Sequence, residues 1–256
     1  MNQSGDQQYR GKLLLLGLLT LASIIGTLLL KAIPQDNSFH HFADRRTWMG
    51  LPNLANVVSN LPFIIVGTVG LLLLQKATVV KGVRVIYGIL FTGIILTGLG
   101  SAYYHYAPDN NTLVWDRLPM TIVFMSFLSA TVAEFINGKL GVRLLLPLLL
   151  TGIASVFYWQ YTESKGAGDL RLYGLVQFYP MLFIPLILLL FRSPVYRKGL
   201  MPLVWVIVWY VLAKISEHYD AAIYLKLGVS GHSLKHVCAA IASWYLVKSF
   251  KRKYVD

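Results

Sequence analysis

The 256-residue chain is 56% apolar and only 13% charged, with a formal net charge of +12. A soluble domain carries about 25% charged residues, so a soluble enzyme is excluded and the rules of a bilayer solvent apply. The excess of Lys and Arg lies in loops and tails between apolar runs, where positive-inside topology and anionic lipid account for it; nucleic acid is not an expected partner.

Residues 1–11 are polar. Lys12 to Lys31 encloses about 20 apolar residues, enough to cross a ~30 Å hydrocarbon core. A cleavable signal peptide is the competing reading, but its apolar core would be long and no clear small-x-small cleavage site follows before Pro34. Residues 33–53 are polar. Further spans are expected at 54–75, 84–106, 114–137, 142–161, 171–192, 200–217 and 232–250. Pro62, Pro119, Pro147, Pro180 and Pro185 fall inside them, which neighbouring helices can tolerate by satisfying the freed carbonyls. The expected fold class is therefore all-α, a polytopic membrane helical bundle. The single Cys238 excludes an intrachain disulfide and a Cys-based zinc knuckle.

If all segments cross, one side holds the basic residues around Arg10, Lys76, Lys139 and Arg197 and the basic C-terminal end. The other holds Lys31, Arg45, Arg46, Lys165, Arg171 and Lys226, with Arg117 just inside a helix start. The first side is expected to be cytoplasmic, with both termini on it. Every histidine then falls near the opposite, non-cytoplasmic face.

Ser101 and His105 are four residues apart and share a helix face; Asp116 follows across a short turn, and His232 and His236 repeat the spacing near the other end of the chain. Ionisable groups inside a span are costly and usually line a cavity or pair. Three neutral imidazoles can hold zinc and leave a fourth position for water, which the metal activates near neutral pH. Asp116 can orient that water or take its proton, and Ser101 can donate a hydrogen bond to a developing oxyanion. These parts point to a metal-assisted hydrolase of an amide or ester, drawing its substrate from lipid.

Each part also has a plainer reading. A lone HxxxH pair can cap a helix, and Ser at 233 excludes the HExxH protease motif. Ser101 can be packing glue beside Gly98, Gly100 and Ala102. Asp116 can be a helix-start charge next to Arg117. Tyr103, Tyr104 and Tyr106 read as an interfacial belt. Glu217, His218 and Asp220 read as structural, pairing with Lys214, or as a second shell around the ligands. His40 and His41 read as solvated.

The combined pattern, Ser101-x3-His105, Asp116, and His232-x3-His236 in the last helix, resembles the alkaline ceramidases and the wider superfamily that contains the adiponectin and progestin receptors. The Asn56–Leu61 run resembles the start of the first family helix. The resemblance covers residues 54–250 and implies a seven-helix catalytic core with one extra N-terminal transmembrane helix, within residues 1–53, and a basic tail at 251–256. It implies Zn2+ held by His105, His232 and His236, with Ser101 and Asp116 catalytic in the hydrolysis of ceramide to a sphingoid base and a fatty acid. Eukaryotic alkaline ceramidases also carry an acidic calcium cluster before that helix. Only Asp44, Trp48 and Asn53 are comparable here, so calcium is not expected. The alternatives are a lipid ester hydrolase using the same site and a receptor-like protein with a structural zinc. A bis-histidine haem protein is more remote, because it gives Ser101 and Asp116 no role.

Overall fold

The structure is a computed structural model and describes residues 3–191 and 196–255. Its α-helices are α1 (Gln3–Leu29), α2 (Leu54–Val58), α3 (Leu61–Lys76), α4 (Lys81–Tyr106), α5 (Asn110–Phe135), α6 (Gly138–Ser164), α7 (Arg171–Leu190), α8 (Leu200–His218), α9 (Asp220–Leu227) and α10 (Gly231–Tyr254). Among the described residues, seven helical segments are long and apolar enough to cross a membrane, including the N-terminal one. The chain is a multi-pass membrane protein. The expected end of the sixth span at 192 lies outside the described residues.

The eighth expected span, 232–250, is a helix but is not among the seven. Its physical reason is position: α10 packs against α3 and α8 and fills its buried face with Ser233, His236, Ser243 and Ser249 as well as Ala240 and Leu246. A helix shielded from lipid by its neighbours can carry polar residues that hydropathy scores against it. It also continues past 250. Lys253 does not lie in a free basic tail; its side chain is 1% exposed and ion-paired with Glu134.

α5 is the most enclosed element, packed by α4, α6 and α7. Its N-terminus is set by a capping box: Asp109 accepts from the Thr112 backbone N–H, and Thr112 Oγ1 accepts from that of Asp109. That backbone N–H holds the Asp109 carboxyl below its usual range. Gly100 lets α4 and α5 meet closely, since a Cβ there would collide with the Trp115 carbonyl oxygen. That approach brings Ser101 and Asp116 to one cavity.

α1 leans on α7 from outside, with most of its apolar side chains exposed. A helix apolar on all sides suits lipid. Thr20 Oγ1 lies 2.7 Å from Tyr179 Oη, and Arg171 donates to the carbonyls of Leu28 and Leu30 at the end of α1. Arg171 is itself held by Asp169, whose carboxyl it depresses to about 2.

The first core span is broken. α2 ends at Val58 and α3 begins at Leu61, with Pro62 in its first turn, where proline fits a helix start rather than kinking an interior. The break leaves Ser59 and Asn60 facing the bundle interior.

Candidate metal and lipid site

The cluster is built at one end of the bundle from the last turn of α4, the first turns of α5 and α10, and the α2–α3 break. His105, His232 and His236 are all buried. His105 Nε2 lies 3.2 Å from His236 Nε2 and 3.3 Å from His232 Nε2. Nitrogens bound tetrahedrally to one zinc at about 2.0–2.1 Å sit about 3.3–3.4 Å apart, so the separations fit that donor set.

The hydrogen bonds around the ligands orient them. Ser59 Oγ donates to the Asn56 carbonyl at 3.0 Å and lies 2.8 Å from His236 Nδ1. A hydroxyl has one proton, so the His236 Nδ1–H is the donor to Ser59 and its Nε2 turns a lone pair to the other two rings. Asn56 Oδ1 accepts from the hydroxyls of Ser230 and Ser233, and Ser230 caps α10 by accepting from the Ser233 N–H. Asp220 Oδ1 accepts from the His232 backbone N–H, and its other oxygen from that of Ala43. Gly231 permits the close turn between α8, α9 and α10, because a Cβ there would meet the Ser216 carbonyl and the Asp220 backbone.

The 33–53 segment, read from sequence only as a polar loop, folds over this end. Phe42 is 4% exposed and its ring centroid lies 4.6 Å from that of His105 and 4.7 Å from that of His232. Asn53, in the left-handed region that asparagine tolerates, donates to the His105 carbonyl. The Asp44 carboxyl is drawn below its usual range by hydrogen bonds from the Arg46 side chain, while the Asp44 carbonyl accepts from Asn56.

Two plainer readings need correction. His40 is not solvated: its Nδ1 lies 2.9 Å from Tyr104 Oη and its Nε2 3.0 Å from Asn110 Oδ1. Tyr104 is buried rather than part of a belt, whereas Tyr103 and Tyr106 are exposed. Of the acidic and histidine group around the end of α8, Glu217 is half-buried between Lys214 and Lys235, and His218 is exposed against Tyr219. His41 is exposed.

Ser101, Asp116 and His236 line one cavity of about 220 Å³. Its polar end also receives Arg117, Lys214, Glu217 and Lys235. From there it runs between α5, α8 and α10 to Val123, Phe127, Val206 and Leu246. Ten residues separate His236 from Leu246 on α10, a depth of about 15 Å at 1.5 Å per residue. An amphiphile with a polar end and a long chain fits that gradient.

The sequence model of one protein family, Ceramidase, matches residues 51–252. The chain belongs to the ceramidase family. No curated protein matches it significantly. The ceramidase match begins just before α2 and takes in His105, His232, His236, Ser101 and Asp116, leaving α1 and most of the 33–53 segment outside it.

Sequence reasoning on chemistry passed over Ser59, Asn60 and Asn56 as site-shaping groups. The available signal was amide and hydroxyl side chains at 56, 59 and 60, shortly before Pro62 in an apolar span, which marks a helix break.

Proposed function

We propose that this ceramidase-family protein is a zinc-dependent membrane amidase that cleaves ceramide or a similar long-chain lipid amide. The observation that carries the reading is the convergence of three imidazole Nε2 atoms beside a cavity graded from polar to apolar.

His105, His232 and His236 would hold the ion. Zinc so held supplies a Lewis acid and a water made nucleophilic at ordinary pH. Asp116 takes a proton from the attacking water at its carboxylate and delivers it to the leaving nitrogen. The Ser101 hydroxyl donates to the carbonyl oxygen as charge builds there. A C–O bond forms, the C–N bond breaks, and an amine and a fatty acid result. The apolar part of the cavity positions the acyl chain, and Phe42 with the loop around it shields the reacting centre from bulk water. Asp220 fixes the His232 backbone and Ser59 orients the His236 ring, while Glu217 holds the two lysines at the cavity wall. The Lys and Arg distribution supports cytoplasmic termini and a site toward the non-cytoplasmic face.

The test compares ceramide with an ester of the same acyl chain and head group on purified protein. Faster release of fatty acid from the amide, abolished by Asp116→Asn, is expected. Turnover of the ester alone moves the function to a lipid esterase, and turnover of neither contradicts the reading.

A further inference from the structure

Arg117 stands out among the buried cations. It follows Asp116 on α5, lines the cavity and is only 6% exposed. Its Nη2 donates to Gln35 Oε1 at 2.5 Å. Its guanidinium carbon lies 4.2 Å from the ring centroid of Trp159, 4.7 Å from Tyr173 and 5.8 Å from Phe39. Yet among the described residues it forms no ion pair, and its Nη1 is fully buried without a hydrogen-bond partner. The nearby carboxylate of Glu163 accepts from the Trp159 indole and the Gln35 backbone N–H, both at Oε2, and forms no ion pair with Arg117 among the described residues. Lys253, buried at the other end of the bundle, and Lys235, half-buried in the wall of the same cavity, each have a carboxylate partner.

The charges lining the cavity are Arg117, Lys214 and Lys235 against Asp116 and Glu217, which leaves one positive charge in excess. A guanidinium donates in a planar fork matched to carboxylate, phosphate or sulfonate, and an aromatic wall holds that plane flat. Arg117 also touches Gln35 and Phe39 of the segment that covers the site, so it sits at the polar end, where a lipid's head would lie, rather than along the chain-binding depth.

We propose that Arg117 Nη1 binds an oxyanion carried by the lipid in the cavity. The oxyanion is either an acidic group on the head of the substrate or the carboxylate of the released fatty acid. The proposal rests on the lipid-amidase reading for the long chain that fills the cavity, and on Arg117 alone for the charge.

The test uses the full-length protein in neutral detergent. Palmitate should raise the melting temperature of the wild type more than hexadecanol does, a difference lost in Arg117→Gln and kept in part by Arg117→Lys. If the acidic head group is the ligand, wild type prefers ceramide phosphate to ceramide in kcat/KM, and that ratio falls about 10- to 100-fold in Arg117→Gln, the range of a charge-assisted hydrogen bond. If the product carboxylate is the ligand, no such preference exists and competitive inhibition by palmitate weakens by the same factor. Wild-type protein that responds equally to acid and alcohol, and equally to charged and neutral amides, overturns the proposal without recourse to any variant. Failure of the amidase reading looks different: palmitate-selective stabilisation persists while no amide is cleaved.

Discussion

Two polar clusters are buried in this bundle, at opposite ends of the same three helices. At one end Lys253 of α10 donates to both oxygens of Glu134 of α5, at 2.6 and 2.7 Å; Tyr87 of α4 and Tyr254 donate to the same carboxylate. Charges and hydrogen bonds close on themselves. At the other end, α4, α5 and α10 bring Ser101, Asp116 and His236 to a cavity with His105 beside His236, and the accounting stays open: among the described residues, His105 Nδ1, Asn60 Oδ1, Arg117 Nη1 and Tyr210 Oη are buried without partners. A closed network holds helices together. An open one, beside a cavity, is prepared for something else to complete it. Both stand in a medium where ionisable groups are expensive, so what separates a fastening from a site is the satisfaction of the polar atoms rather than their presence.

The largest effect is expected at the closed end. Lys253→Met should destabilise the protein by about 3–5 kcal/mol, because it strands the buried Glu134 carboxylate; adding Glu134→Gln should recover most of that loss. Unfolding followed in detergent measures both, and metal content per folded chain should not change in either. If the double variant stays as unstable as the single one, the cluster is more than a self-contained pair.

At the open end a smaller effect is expected on stability and a specific one on metal. Ser59→Ala removes the acceptor that orients His236, so zinc affinity should fall about 10- to 100-fold with the melting temperature little changed. Competition with a chelator reads this directly. An unaltered affinity would place Ser59 in the helix break alone.

The smallest effect tests the outer clamp between α1 and α7. Asp169 has a folded pKa of about 2 against an ordinary value of 3.8, owing to its hydrogen bonds from the Arg171 side chain. A depressed carboxyl stabilises above its unfolded pKa and loses that contribution as the pH falls through the folded value. The stability advantage of wild type over Asp169→Asn should therefore be nearly full above about pH 4, decline as the pH falls toward 2 and vanish below it. A difference independent of pH would show that Asp169 acts by hydrogen bonding alone.

Much of the open cluster was legible because its members keep helical spacing: Ser101 with His105, and His232 with His236, each four apart, are visible without coordinates. The spans were legible wherever a helix faces lipid, since apolarity on all sides leaves a plain signal. The signal thinned in α10, which is screened by α3 and α8. Side chains whose role depends on a distant partner were not legible. Lys253 reads as one more charge in a basic tail until Glu134, 119 residues away, is seen beside it. His40 reads as a loop residue until Tyr104 and Asn110 close on its ring. Arg117 reads as a helix-start charge, and only the cavity and its unpartnered nitrogen mark it as different. A lone Glu within an apolar run, such as Glu134, was the one cue that a buried partner must exist.

If the three imidazoles hold the metal on which lipid hydrolysis depends, zinc and activity stand or fall together. This is tested most directly by measuring zinc per chain in purified wild-type and His236→Ala protein, with fatty acid release from ceramide followed in the same samples. About one zinc per wild-type chain is expected, from three protein ligands at one site, with loss of zinc and activity together in the variant. Ceramide hydrolysis that persists in a variant without zinc would contradict that dependence.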